Sequence, residues 1–218
     1  LGDVYKRQRL SSESFEDGGI ILGRCAFCVK DPKTHLRLSQ NLSPHLAWRQ
    51  LPEGTQSLAL ACLDPDAPAA KPDYVNTPGT LIPAKLPRGT FVHWLIADIP
   101  ADLVQIAEGA CSRAVIPGGK RIPDGPEGSV QGLNDYTGWF AGDKAMEGPY
   151  LGYDGPCPPF NDSIPHRYIF TLYALDVPSL KLKPGFRFDA FSVALDGHVL
   201  ARATLTGRYA TNPDIRLR

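Results

Sequence analysis

A chain of 218 residues with 23 basic and 23 acidic side chains carries no net formal charge. That balance leaves no broad electrostatic footprint for nucleic acid or for an anionic membrane surface. The length suffices to bury a core without a disulfide or metal scaffold, and no run of eighteen apolar residues offers a membrane span. Any anion recognition must therefore be local.

Taken in chain order, the first feature is Asp3–Gln8, which reads DVYKRQ. An in-frame sequencing adapter encodes this string, so residues 1–8 are set aside as a non-native segment and one domain is expected over 9–218. The missing start codon leaves an upstream signal peptide open. Five cysteines follow, Cys25, Cys28, Cys62, Cys111 and Cys157. Their odd number and wide spacing argue for free thiols in a reducing cytoplasm rather than for a secreted disulfide framework. Cys25-x-x-Cys28 stands without a second pair or a downstream histidine pair, so two thiols near one end of the fold are expected rather than a zinc or redox site.

Four stretches carry a strand signal. Ser57–Asp64 is an almost continuous apolar run that includes Cys62, a buried thiol in this reading. Phe91–Ile99 is β-branched and aromatic, interrupted only by His93 and Asp98. His166–Asp176 is apolar at both odd and even positions, and Thr204–Tyr209 is shorter. Burial on both faces of several strands predicts stacked antiparallel sheets.

One helix is expected, from about Asp189 to Ala203, on the four-residue recurrence of Phe191, Leu195 and Val199. Asp189 would be its N-cap and Gly197 a point of close packing, with the helix closing one end of the sandwich. Between Pro117 and Pro165, 18 of 49 residues are glycine or proline. The stretch also holds Tyr136, Trp139, Phe140, Tyr150, Tyr153 and Phe160, and disordered tracts are poor in aromatics. A long ordered loop of this kind builds sites.

Three clusters could carry chemistry. Asp64-Pro65-Asp66-Ala67-Pro68 ends the first strong strand, where proline imposes a rigid turn that holds the Asp64 carboxylate at a sheet edge. A strand-ending turn with Asp64 capping backbone amides is the plain alternative. His93 alone would be a core histidine. Beside Asp64 it would have one ring nitrogen held by the carboxylate and the other free to donate to an anion. Gly152-Tyr153-Asp154-Gly155-Pro156-Cys157-Pro158-Pro159 then leads to His166-Arg167-Tyr168, where His166 and Tyr168 share one strand face. Arg167 points to the opposite face and is expected to form a structural ion pair. An acid–base enzyme using Asp64, His93, His166 and Tyr168 is a second reading. It lacks a Gly-x-Ser-x-Gly elbow, Ser163 lies in a loop, and Cys157 is the only thiol near the motif.

The DPDAP segment, His93-Trp94, GYDGPCPP and HRY, in this order, resemble the phosphatidylethanolamine-binding protein family, in particular its bacterial and archaeal YbhB/YbcL Raf-kinase-inhibitor-like branch. Asn41-Leu42-Ser43-Pro44-His45-Leu46-Ala47-Trp48, the Pro52–Thr55 turn and Gly197-His198-Val199-Leu200-Ala201 extend the likeness from about Phe15 to Pro213. The resemblance implies a β-sandwich of two antiparallel sheets with a C-terminal helix and a small pocket at one end. The pocket would take phosphate, phosphorylethanolamine, acetate or a related carboxylate. Its implied wall is Asp64, Pro65, His93, Gly155, Pro156, His166 and Tyr168, with Asp66 and Pro68 shaping the turn out of reach of ligand. No cofactor, metal or catalytic residue is implied. A kinase or protease held by inhibition is the implied alternative partner, and dimers in this branch leave a homodimer open. The lead-in Gly132–Tyr150 departs from the eukaryotic pattern and puts the rim of the pocket in question.

Overall fold

The computed structural model describes residues 7–218. Positions 1–6 of the segment set aside above lie outside the described residues. Gln8, also in that segment, is buried and donates its Nε2–H to the Leu172 carbonyl at 3.0 Å.

The strands are β1 (Arg9–Ser11), β2 (Cys28–Asp31), β3 (His35–Leu38), β4 (Leu46–Arg49), β5 (Ser57–Pro68), β6 (Arg88–Pro100), β7 (Gln105–Ile106) and β8 (Val130–Gln131). A one-turn helix α1 (Tyr136–Trp139) precedes β9 (His166–Leu175), α2 (Phe188–Leu195) and β10 (Val199–Tyr209). The main sheet runs β10-β9-β5-β6-β8 and every pair in it is antiparallel. A three-stranded sheet, β1-β4-β7, and the β2-β3 hairpin complete a mainly β sandwich. Among the described residues, no helix is long and apolar enough to cross a membrane.

β5 reads as a continuous apolar run because both of its faces are covered. Leu58, Leu60 and Cys62 join Trp94, Phe170 and Leu172 in a core closed by Leu10, Leu46 and Trp48 of the smaller sheet. Ala59 and Ala61 face the other way, with Leu95 and Ala97, against Phe186, Phe191 and Leu195 around α2. Alanines on that face let the helix approach the sheet, whereas the larger side chains opposite fill the wider gap between sheets.

The predicted helix is half right. It ends at Leu195, and Val199–Tyr209 is strand β10. A four-residue recurrence is also a multiple of two, so Val199 fits a strand as well as a helix. Beyond Gly197, Ala203, Leu205 and Tyr209 alternate inward against exposed Leu200, Arg202 and Thr204. Gly197, with φ +77°, takes the left-handed conformation that stops a helix, which is the reason a glycine stands there. Asp189 lies inside the first turn, where its Oδ1 accepts the Ala190 N–H at 2.8 Å; Arg187 is the N-cap residue and makes no side-chain cap.

The cysteine expectation also fails at one pair. Cys28 and Cys157 form a disulfide across 129 positions, while Cys25, Cys62 and Cys111 are free and buried. The bridge ties β2 to the proline-rich loop. Widely separated cysteines give no pairing signal in sequence, because only the fold brings them together.

Candidate functional site

The ladder between β5 and β9 runs from Ser57–Leu175 to Leu63–Ile169 and stops. Beyond it the strands part, β5 staying with β6 as far as Pro68–Arg88 and β9 with β10 as far as His166–Tyr209. DPDAP is therefore not a turn, as the prolines suggested, but the continuation of β5. A register shift between Asp64 and Ala67 accommodates Pro65, which has no N–H to offer a ladder. Side chains take over from backbone in the gap. Asp66 Oδ2 accepts the Arg167 backbone N–H at 2.8 Å, and its carboxylate pairs with the Arg167 guanidinium, the structural role expected of that arginine.

His93 is brought to the gap by a second irregularity. Cys62 pairs with Trp94 and Leu63 with Val92, so His93 is the extra residue of a bulge in β6. A bulge re-aims a side chain that strict alternation would direct elsewhere.

A cavity of about 30 Å³ opens here, lined by Asp64, Phe91, His93, His166 and Tyr168 and walled by the proline loop at Cys157, Pro158 and Pro159. That is room for a group of a few heavy atoms. Ala67 and Pro68 also line it, Pro68 contrary to its expected role in shaping the turn only. Pro65, Gly155 and Pro156 are not among the lining residues. Gly155 faces inward, its N–H donating to Asn41 Oδ1 at 2.8 Å, and a Cβ there would strike the Cys25 carbonyl. The Pro156 carbonyl accepts the Phe27 and Cys28 N–H groups. The loop meets the cavity one to three residues later than the motif implied.

The pairing of Asp64 with His93 is corrected as well. Asp64 Oδ2 accepts from His166 Nδ1 at 2.7 Å, and Asp162 Oδ2 accepts from His166 Nε2 at 3.0 Å. Burial alone would push the His166 pKa down, but the two carboxylates outweigh it and raise it to about 9. His166 is thus a buried imidazolium donating from both nitrogens. Asp162 also takes a forked contact from Arg88, at 2.6 and 3.0 Å. Its carboxyl, which burial would raise, is held below the usual range by His166 and Arg88.

His93 instead donates its Nδ1–H to the Asp154 backbone carbonyl at 2.7 Å. Burial pushes its pKa below the ordinary value, with Asp64 opposing. Its Nε2 makes no hydrogen bond to any described residue. Tyr168, 1% exposed, stacks edge-on against His93 at 5.0 Å, and its hydroxyl is buried with no partner among the described residues.

A support network was not anticipated from sequence. Asp154 Oδ1 accepts from Asn41 and Lys120, and Oδ2 from Asn134, each at 2.8 Å. Together they fix the carbonyl that orients His93. Asn41 and Asp154 both fall in motifs quoted above, but nothing local signals that they meet. The lead-in supplies Tyr136, whose hydroxyl donates to the Gly155 carbonyl at 2.7 Å, and Trp139, which borders the cavity. The aromatic loop thus forms part of the rim.

The sequence profile described as "Phosphatidylethanolamine-binding protein" matches residues 11–210. A UPF0098 protein of Methanothermobacter thermautotrophicus is 36% identical over 200 residues, covering 92% of this chain and 97% of that one. A UPF0098 protein of Aquifex aeolicus is 32% identical over 201 residues, covering 89% and 92%. Among solved structures, Escherichia coli YbcL, titled a new member of the mammalian PEBP family, superposes with a TM-score of 0.67 at 25% identity, over 94% of this chain and 98% of its own.

Proposed function

The chain belongs to the phosphatidylethanolamine-binding protein family, and on that premise we propose that its end cavity binds a small oxyanion, of the kind found in a phosphate headgroup. The observation that carries this reading is the buried Tyr168 hydroxyl, which has no hydrogen-bond partner among the described residues, on the cavity wall beside His93, whose Nε2 makes no hydrogen bond to them either. A buried hydroxyl without a hydrogen bond costs about 1–3 kcal/mol, a cost that a ligand atom reaching it removes. The cavity is prebuilt: His166, Asp64, Asp162 and Arg88 lock one wall, and the disulfide-anchored prolines another. Little ordering is left to oppose binding.

The enzyme reading loses its nearest nucleophile, because Cys157 is held in the disulfide. That bridge also bears on where the protein works. Such bridges persist in oxidising compartments and are rare in the cytosol, so we read the working environment as oxidising, against the reducing cytoplasm expected from the cysteine count.

Calorimetric titration with methyl phosphate tests the binding reading. Saturable binding that weakens at least tenfold in both Tyr168→Phe and His93→Ala supports it. Unchanged affinity in both variants would move the ligand elsewhere.

A further inference from the structure

We propose that the cavity selects a ligand that brings its own acidic proton, a singly protonated phosphate monoester or a comparable oxyacid, over a fully ionised anion of the same shape. This rests on the oxyanion reading above and adds the protonation state that the site accepts.

The first argument is a count of donors and acceptors. His93 Nδ1 lies 2.7 Å from a backbone carbonyl, which can only accept, so the ring proton is fixed on Nδ1. The neutral ring therefore presents a lone pair at Nε2. Asp64, the other polar group on that wall, is acceptor-only as a carboxylate. Its Oδ1 takes the Asp66 N–H at 2.7 Å and its Oδ2 takes His166, and each oxygen keeps a further lone pair. Tyr168 supplies a buried donor with no partner among the described residues. A fully ionised sulfate or phosphate group offers only acceptors and would set oxygen lone pairs against that of His93. A P–OH group meets His93 Nε2 with a proton while another oxygen of the same group accepts from Tyr168.

The second argument is charge. The groups facing His93 are Asp64 from β5, Tyr168 from β9, Tyr136 and Asp135 from α1 and the residue before it, Asp154 from the proline loop, and Phe91 beside it on β6. Lys120 pairs with Asp154 at 2.8 Å, and His166 and Arg88 are committed to Asp64 and Asp162. Asp135 accepts the Val92 N–H at 2.7 Å, and burial raises its pKa. Lys71 stands exposed over the Trp139 ring at the rim. Among the described residues no buried cation is left over to meet a second negative charge beside His93, so a dianion seated there would lose its hydration without a buried counter-ion.

Methyl phosphate and methyl sulfate separate the alternatives. They have one shape and, below the second phosphate pKa of about 6, one charge, and they differ by a single proton. Calorimetry on the full chain at about pH 5, below that pKa, should give methyl phosphate at least a tenfold advantage. Its affinity should then fall about tenfold per pH unit above that pKa, as the ligand loses its proton. In His93→Ala the two ligands should bind about equally. Methyl sulfate binding within threefold of methyl phosphate to the unaltered chain, or methyl phosphate affinity that is constant from about pH 6 to 8, would overturn the proposal while leaving an oxyanion site standing. Binding of neither ligand would overturn both readings.

Discussion

Asp64 and His166 lie 102 positions apart and meet at 2.7 Å where two neighbouring strands of the main sheet separate. The contact joins strand ends that the backbone ladder no longer holds. It is the hinge point of both stability and site geometry.

The first prediction concerns alkaline stability. The folded pKa of His166 is about 9, raised above the unfolded value of about 6.5. Its contribution is therefore complete below the unfolded pKa and is lost as pH rises through the folded one. The difference corresponds to an order of magnitude of about 3 kcal/mol. Urea denaturation between about pH 6 and 10 should show falling stability in the unaltered chain and a flatter profile in His166→Gln. A flat wild-type profile would exclude an imidazolium between the two carboxylates.

Tyr168→Phe should separate binding from folding. Its hydroxyl has no partner among the described residues, so its removal should leave the melting temperature unchanged or slightly higher. Methyl phosphate affinity should fall about tenfold or more, the loss of one hydrogen bond to a charged group. A marked drop in melting temperature would mean that the hydroxyl serves the fold.

The bridge between Cys28 and Cys157 should be detectable as a chain two hydrogens lighter in intact mass than its reduced form. Loss of a native disulfide costs about 2–5 kcal/mol in small secreted domains. Cys157→Ser should show a loss toward the upper end of that range, because the bridge closes a loop across 129 positions. It should also weaken methyl phosphate binding, since Cys157 borders the cavity. Equal stability of the oxidised and reduced chains would remove the bridge from the stability argument.

Gln8 tests the boundary drawn from sequence. Deleting residues 1–7, set aside from sequence as non-native, should move the melting temperature by no more than about a degree or two. Gln8→Ala should cost about 1 kcal/mol through the lost bond to Leu172. An unchanged stability in Gln8→Ala would return that residue to the excluded segment.

The central strands were legible in sequence because cover on both faces writes apolar residues into most positions of β5 and β9, whereas the short strands β1 to β4, β7 and β8 carry no such run. Part of the cavity lining was legible too: of the seven wall residues expected, Asp64, His93, His166 and Tyr168 line it. Their partnerships were not. Alternation along a strand says which face a side chain takes, but a bulge at His93 and the parting of β5 from β9 change who meets whom. Asp162 is four residues before His166 in a loop, with no periodicity to place it. The shift from Pro65, Gly155 and Pro156 to Pro68, Pro158 and Pro159 has the same origin, since motif matching fixes a segment without fixing which of its residues face inward.

The position of β9 has a consequence for biosynthesis. It lies between β5 and β10 in the main sheet although it comes late in the chain, and it carries His166 and Tyr168. A nascent chain that has emerged only as far as Pro165 can close the β5–β6 hairpin, but it leaves one edge of β5 bare and the cavity without a wall. Such an edge invites pairing with other chains until the remaining strands arrive. Interrupting translation ahead of β9 therefore leaves an aggregation-prone hairpin rather than a smaller folded domain, and the end cavity comes into being at the same step that completes the centre of the sheet.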